Sequence, residues 1–218
     1  MPISRQFKII FVHIPRVAGT SVEKYLGMGS IDQLFSFDKI KLTKWSKKFP
    51  ENSPEQSKTP QHLTALELKK VIPENIFNSF YKFSIVRNPF DRIISEYLHI
   101  KDTSQPPYLA RFKTMSLDDF VLEGLSLSQT ERINLFDGHL ETQCSYVLDE
   151  NKSLLVDKVF KLENLQECVD FLKNIVGIEA FPHARNTTPI ENFTFSEESK
   201  EMIKIFYKED FDFFGYTY

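Results

Sequence analysis

The sequence is poor in cysteine, with 2 among 218 residues, Cys144 and Cys168. Two thiols so far apart in the chain predict neither a disulfide framework nor a cysteine-based metal site. An excess of positive charge is also lacking, since 27 Lys and Arg stand against 30 Asp and Glu, for a net charge of -3. No overall positive field is therefore available to hold nucleic acid or a membrane surface. Any recognition of an anion must be local.

Long apolar runs are missing as well. None approaches the roughly 20 apolar residues of a membrane span, and the opening "MPISRQ" does not lead into the apolar core of a signal peptide. The chain has no internal repeat and no low-complexity tract. With 41% hydrophobic residues it can still bury a substantial core. We expect one domain over residues 1–218, soluble and cytoplasmic.

Short apolar runs alternate with helical periods, a pattern that predicts an α/β architecture with a parallel sheet. Strands are predicted in "KIIFVH" (8–13), in "YKFSIV" (81–86) and within "LLVDKVFKLE" (154–163). Helices are predicted to dominate from residue 116 onward. The polar stretch 41–60 carries five lysines, among them Lys44, Lys47 and Lys48, and the prolines Pro50, Pro54 and Pro60. It predicts a long loop that is either a solvated connection or a basic lip for an anionic substrate.

The first strand leads into the turn "HIPRVAGTS" (13–21). Thr20 and Glu23 have the spacing of a capping box, which predicts that a helix begins there with its amides and positive dipole end facing the turn. Arg16 would add a local positive charge. These features together predict an anion site. The alternative is that Thr20 only caps a helix and that Arg16 lies in solvent.

The small and hydroxylated residues of this turn support the anion site. Ala18 and Gly19 let a ligand approach the backbone closely, and the hydroxyls of Thr20 and Ser21 can donate to phosphoryl or sulfuryl oxygens. The phosphate-loop pattern G-x-x-x-x-G-K-[ST] occurs nowhere in the chain, so this is not a standard ATP-hydrolysing loop.

A second strand-to-helix turn is predicted in "FSIVRNPFDRIISEYLH" (83–99). Asn88 can cap the helix, Pro89 suits its first position and Asp91 lies in its first turn. Arg87 ends the strand, and open α/β sheets bind ligands at the carboxyl ends of their strands. Arg87 is therefore a candidate ligand-binding residue.

The helix after this turn carries further polar candidates. Arg92 and Ser95 are three residues apart and share one face. Pairing with Asp91 and Glu96 on a solvated face would explain Arg92 without a ligand, but it would not explain Arg87.

These two motifs resemble those of a known family. "HIPRVAGTS" resembles the 5′-phosphosulfate loop, and "VRNPFDRIISEY" the 3′-phosphate motif, of sulfotransferases that use 3′-phosphoadenosine 5′-phosphosulfate (PAPS). The resemblance is closer to the carbohydrate branch that includes heparan sulfate 2-O-sulfotransferase and small bacterial enzymes. The segments "VFKLENL" and "YKEDFDFFGY" extend it over most of the chain. It implies a three-layer α/β, P-loop-kinase-like fold with a central parallel sheet flanked by helices.

The resemblance also implies a set of binding residues. The residues that would hold the 5′-phosphosulfate are Arg16, Ala18, Gly19, Thr20 and Ser21. Arg87 and Ser95 would hold the 3′-phosphate. Asn186, in "HARNTTP", lies where relatives have a polar loop that closes near the nucleotide.

Two positions depart from the family pattern. Ala18 stands where glycine is usual, and it fits only if its backbone avoids positive φ. Arg16 stands where lysine is common. Arginine carries the same charge but cannot donate its proton, so electrostatic stabilisation of the leaving group is kept and proton donation to it is lost.

Transfer to a hydroxyl also requires a base, and "TPQHLTALELKK" (59–70) offers His62. Thr64 and Glu67 form a second predicted capping box, so His62 precedes a helix whose dipole disfavours imidazolium. The segment resembles the one that carries the catalytic histidine in 2-O-sulfotransferase-like enzymes. His62 could instead be an ordinary surface residue, and Glu67 could orient it, although a cap is the favoured role.

The other histidines are weaker candidates. His13 ends the first strand and is expected to be packed near the nucleotide. His99 shares a helix with Ser95 and could approach the acceptor, whereas His139 and His183 have weaker cases still.

The sequence therefore predicts a sulfotransferase that moves a sulfuryl group from PAPS to a hydroxyl acceptor, expected to be a carbohydrate, and releases PAP. No metal is expected, because no acidic or His/Cys cluster has ligand spacing in the sequence. A P-loop-type kinase is disfavoured by the missing lysine motif. A non-catalytic PAPS-binding or scaffolding protein is the other alternative, and Arg16 keeps it open.

Overall fold

The structure, a computed structural model, describes residues 3–28, 58–102, 109–177 and 192–218. The lysine-rich part of the predicted loop, with Lys44, Lys47 and Lys48, lies outside the described residues, as do His183 and Asn186.

The described residues contain one mixed sheet in the order β1–β2–β3–β4. Its strands are β1 (Ile3–Ser4), β2 (Ile9–Val12), β3 (Tyr81–Val86) and β4 (Lys158–Lys161). β2, β3 and β4 run parallel, which confirms the three predicted strands. The expectation of a wholly parallel sheet is wrong at β1, which pairs antiparallel with β2. The reason is the four-residue connection, which is too short for the crossover that parallel strands need.

The centre of the sheet is buried on both faces. All four residues of β2 have no exposed surface, as expected for an apolar strand of a parallel sheet covered on both sides. Phe11 pairs with Phe83 across β2 and β3, and their ring centroids are 5.0 Å apart. Because the last residue of β2, Val12, pairs with Ser84, the two strands end at the same edge of the sheet. The turns that follow them therefore leave from the same edge.

Helices make up most of the remaining described chain. Their bounds are α1 (Gly19–Tyr25), α2 (Ala65–Val71), α3 (Glu74–Ser79), α4 (Pro89–Asp102), α5 (Ala110–Thr114), α6 (Leu117–Ser126), α7 (Gln129–Phe136), α8 (Gln143–Val147), α9 (Leu165–Val176), α10 (Glu197–Phe206) and α11 (Lys208–Phe214). Short 3₁₀ turns lie at Pro60–His62 and Leu162–Asn164. The predicted dominance of helix after residue 116 is confirmed, and α9 ends at Gly177 in the left-handed conformation, as its sequence predicts.

Two apolar clusters form the core. One surrounds the strands and includes residues of α1, α2 and α9. The other lies between α4, α6, α10 and α11 and includes Ile93, Ile94 and Tyr97 of α4. The second cluster anchors α4, and the first turns of α4 lie at the sheet edge. No helix in the described ranges combines the length and the apolar character needed to cross a bilayer.

Candidate active site at the sheet edge

The turn after β2 enters α1 without the predicted capping box. The helix begins one residue before Thr20, its N-cap is Ala18, and no side chain caps it. The carboxylate of Glu23 is used elsewhere: its Oε1 accepts from Nδ1 of His13 (2.9 Å) and its Oε2 from Nε2 of Gln61 (2.8 Å). Thr20 is exposed. The prediction fails because a buried histidine competes successfully for the carboxylate.

The backbone of this turn passes through the left-handed region twice, at Arg16 (φ 70°) and at Ala18 (φ 65°). The condition set for alanine at position 18, a backbone that avoids positive φ, is therefore not met. The left-handed conformation costs an L-residue about 1–2 kcal/mol, and glycine adopts it freely. This cost gives a physical reason for the glycine that the resembled family usually has at position 18.

Gly19 is required by a close approach within the protein. A Cβ added at Gly19 would lie 2.0 Å from Nε2 of His13. His13 is 4% exposed and is held by Glu23, so it has little room to move away. The structure thus places a histidine ring against Gly19, where the sequence suggested the approach of a ligand, and His13 is packed as expected.

The turn after β3 follows its local signals. α4 begins at Pro89, and Oδ1 of Asn88 accepts from the amide of Phe90 (2.9 Å). Arg87 is buried, and Gln143 holds its backbone by accepting from its amide and donating to its carbonyl, both at 2.8 Å. Burial lowers the pKa of Arg87, but an arginine remains charged in a protein. Gln143 is a supporting residue that the sequence did not reveal.

The two turns meet through their arginines. Nε of Arg16 donates to Oγ of Ser95 (3.2 Å), and Nη1 of Arg87 donates to the backbone oxygen of Arg16 (3.4 Å). The side chain of Arg16 is 28% exposed, so it can reach a ligand. Two guanidinium groups and a hydroxyl are thus gathered at one edge of the sheet, an arrangement suited to an anion with several charged oxygens.

Arg92 has a different role from its neighbours. It is 1% exposed and donates to the backbone oxygens of His139 (2.9 Å) and Glu141 (2.5 Å). Its guanidinium also lies over the ring of Tyr207. The alternative that Arg92 lies on a solvated helix face is therefore wrong. Arg92 is buried, and its hydrogen bonds connect α4 with the segment after α7.

His62 lies at the end of the 3₁₀ turn that precedes α2. The Thr64–Glu67 capping box is confirmed, and Glu67 also binds Lys58 (2.9 Å), so Glu67 caps the helix and does not orient His62. Asp137 orients it instead, because its Oδ2 accepts from Nδ1 of His62 at 2.7 Å. Asp137 is fixed in turn by the amide and hydroxyl of Thr59.

The imidazole of His62 is neutral at ordinary pH. Burial lowers the pKa of His62 to about 4, and this effect outweighs the hydrogen bond that His62 donates to Asp137, which raises it. The sequence predicted a neutral ring from the helix dipole, but the main cause is desolvation of the charged form. A neutral ring whose Nδ1 donates to a carboxylate keeps Nε2 free of a proton and able to accept one.

His139 and Glu96 connect His62 with Arg16. The rings of His62 and His139 lie with centroids 4.8 Å apart, and Nδ1 of His139 donates to Oε2 of Glu96 (2.7 Å). The same carboxylate oxygen lies 3.8 Å from Nε of Arg16. Burial alone raises the pKa of Glu96, but His139, Arg16 and His99 together outweigh it and lower the pKa to about 2. An ionised carboxylate therefore lies between the cation and the histidines.

The sequence missed Asp137 and Glu96 and undervalued His139. The signal that could have found two of them is "DGH" (137–139), a titratable pair around a glycine directly after a helix. His62, Asp137 and His139 also offer metal-binding atoms that all lie within 4.8 Å of one another. The absence of ligand spacing in the sequence therefore did not exclude a cluster in space.

Comparison with known proteins agrees with this geometry. A family model described as the sulfotransferase family matches residues 1–217, so the chain belongs to that family. Among curated proteins and among solved structures, no match was found. Family membership makes the protein a transferase of sulfuryl groups, in a family that generally uses PAPS as donor and a hydroxyl-bearing acceptor.

Proposed function

We propose that the protein transfers a sulfuryl group from PAPS to a hydroxyl of a carbohydrate, with His62 as the general base. The observation that carries this proposal is a continuous series of contacts from base to cation. His62 lies against His139, His139 binds Glu96, and Glu96 lies 3.8 Å from Arg16. The proposed base and the turn proposed to bind the donor are thereby linked through side-chain contacts.

The donor would lie across the two strand-to-helix turns. In this proposal Arg87 and Ser95 bind the 3′-phosphate. The residues proposed to bind the 5′-phosphosulfate are Arg16, Ala18, Gly19, Thr20 and Ser21. The contacts of Arg16 with Ser95 and of Arg87 with the Arg16 backbone support a shared site. The role of Asn186 stays a prediction from the family resemblance.

In the proposed reaction, PAPS supplies the sulfuryl group and the sulfur–oxygen bond to its 5′-phosphate breaks, releasing PAP. Nε2 of His62 takes the proton of the acceptor hydroxyl while that oxygen bonds to sulfur in line with the leaving group. Asp137 holds His62 in the tautomer that can accept this proton. Arg16 stabilises the charge that develops on the departing phosphate oxygen, and it does so without donating a proton. The reaction requires no metal.

Replacing His62 tests the proposal directly. His62→Ala should lower the single-turnover rate of sulfuryl transfer by about two to four decades, the usual contribution of a general base, with nearly unchanged affinity for PAPS. Asp137→Asn is the matched variant, because it keeps the ring and alters only its tautomer and orientation. A wild-type rate in His62→Ala would move the role of base to His99 or to a carboxylate.

The pH dependence gives a second readout of the same role. Because the pKa of His62 is lowered to about 4, the transfer rate should stay level from pH 7 downward and fall tenfold per unit only below about pH 4. The same lowered pKa also makes the stability of the fold depend on pH. An unfolded histidine protonates near pH 6.5, so stability should decline as the pH falls from about 6.5 to 4. A rate that already falls near pH 6.5 in a folded protein would argue against His62.

The alternative of a non-catalytic PAPS-binding protein rests on Arg16. If the wild type transfers to no acceptor tried while Arg16→Lys gains transfer, the chain is better described as a binding protein that has lost turnover. Transfer by the wild type to any hydroxyl acceptor removes this alternative.

A further inference from the structure

We propose that His62, Asp137 and His139 form a binding site for a divalent transition-metal ion such as Zn²⁺, and that the bound ion inhibits sulfuryl transfer. One ring nitrogen from each histidine and one carboxylate oxygen lie within 4.8 Å of one another. Two imidazoles and a carboxylate are a ligand set that suits Zn²⁺, with a fourth position left for water or another ligand.

The histidines are already held as metal ligands usually are. Nδ1 of His139 donates to the buried carboxylate of Glu96, which fixes the ring and leaves Nε2 for an ion. A carboxylate behind a metal-binding histidine is the common supporting arrangement in zinc sites. Nδ1 of His62 donates to Asp137 over 2.7 Å, and an ion can take the place of that proton, which then moves to Nε2 of the ring.

The exposure of the cluster allows an ion to enter. The side chains of His62, Asp137 and His139 are 12%, 25% and 15% exposed, so the cluster is sheltered but not closed. His13, although its ring lies 5.2 Å from that of His62, is excluded as a ligand, because Glu23 holds its Nδ1 and Gly19 packs against its Nε2.

The distances between the ligand atoms determine how tightly the site is expected to bind an ion. Ligand atoms in a tetrahedral zinc site are about 3.3 Å apart, as follows from metal–ligand distances of about 2.0–2.1 Å. The present separations of up to 4.8 Å therefore require a side-chain movement of about 1.5 Å. The cost of that movement makes binding weaker than in a preformed zinc site, and therefore reversible.

Inhibition follows from which atoms the ion occupies. A metal ion on His62 removes the lone pair or the orientation on which proton transfer from the acceptor depends. This half of the inference rests on the proposed function, whereas the binding half does not. The bound ion would therefore inhibit a reaction that, as proposed, does not itself use a metal.

The binding half is tested with tag-free protein and Zn²⁺ alone, by titration calorimetry, and with Co²⁺ as a visible-absorption probe. Wild type should bind one ion, and His139→Ala should bind it at least about 100-fold more weakly, since even loss of a supporting residue costs 10–100-fold. His99→Ala is the matched control, because His99 stacks on His139 at 6.0 Å but lies outside the ligand set. Its affinity should stay within about threefold of wild type.

Several outcomes would overturn the proposal. Equal zinc affinity in wild type and His139→Ala, or wild-type binding weaker than about 1 mM, would remove the site. His139→Gln and Asp137→Asn, checked for folding by circular dichroism, guard against a merely unfolded variant. Zinc that binds at the site but leaves the rate of PAPS-dependent transfer unchanged would refute inhibition. Absence of transfer without zinc would count against the proposed function, and the calorimetry would still decide the site.

Discussion

Two strand-to-helix turns leave the same edge of the sheet, but they are built in different ways. In the turn after β3, local residues set the start of the helix, because Asn88 caps it and Pro89 occupies its first position. The turn after β2 has no side-chain cap and holds Arg16 and Ala18 at positive φ. One turn is locally stable, and the other keeps a strained backbone that contacts elsewhere must maintain.

The difference shows whether local or long-range contacts determine the backbone conformation of each turn. The helix start after β3 is set by residues close in sequence, although Gln143 also fixes the backbone of Arg87 across 56 positions. The turn after β2 depends on Ser95, which accepts from Arg16 across 79 positions, and on Gln61, which binds Glu23 across 38. Strain held by distant contacts is frequent at functional sites, because it fixes charged groups before a ligand arrives. We therefore expect the turn after β2 to act in chemistry and the turn after β3 chiefly in binding.

Among changes to the two turns, removing the cation of the strained turn should have the largest effect. Arg16→Ala should lower the single-turnover transfer rate by about two to three decades, because charge on the departing oxygen is greatest in the transition state. The dissociation constant of PAPS should rise less than the rate falls. Arg16→Lys restores a compact charge that can also donate a proton, so it should retain substantial activity. Unchanged rate and affinity in Arg16→Ala would show that this turn has no chemical role.

Removing the cation of the second turn should affect binding instead. Arg87→Ala should weaken PAPS binding by about one to two decades, the value of a charge-assisted hydrogen bond to phosphate. An analogue without the 3′-phosphate serves as the control ligand and should lose much less. Equal losses for both nucleotides, measured by calorimetry, would refute a 3′-phosphate role for Arg87.

The local cap of the second turn can be tested by stability. Asn88→Ala should lower the free energy of unfolding by about 1 kcal/mol, because the amide of Phe90 loses its acceptor. Asn88→Asp keeps an acceptor oxygen and should stay close to wild type. Chemical denaturation of the three proteins measures the difference, and an unchanged midpoint in Asn88→Ala would mean that the cap is not needed.

The smallest expected effect is a gain in stability, and it concerns the strained turn. Ala18→Gly should raise the free energy of unfolding by up to about 1 kcal/mol, since relief of the left-handed strain exceeds the entropy cost of glycine. Ala65→Gly, at a helical position in α2, is the control and should destabilise. Destabilisation by both substitutions to a similar extent would show that Ala18 is not strained.

Much of the fold could be predicted because its signals are local. Continuous apolar runs predicted β2, β3 and β4, and cap and stop residues predicted the starts of α2 and α4 and the end of α9. β1 was not predicted, and the capping box of the helix after β2 was predicted wrongly. In both places a local pattern competes with contacts made elsewhere, namely pairing with β2 and the bond between Glu23 and His13.

The sequence by itself determined which chemical groups this protein can use: arginines after two strands, a histidine before a capped helix, and motifs specific enough to indicate the sulfotransferase family. Only the tertiary structure decided how these groups are combined. Asp137 pairs with His62 across 75 positions and Glu96 with His139 across 43. Side-chain contacts between residues so far apart in sequence produce no periodicity or motif spacing that could be recognised in the sequence. The lowered pKa of His62 likewise arises from burial, which depends on the packing of segments far apart in sequence.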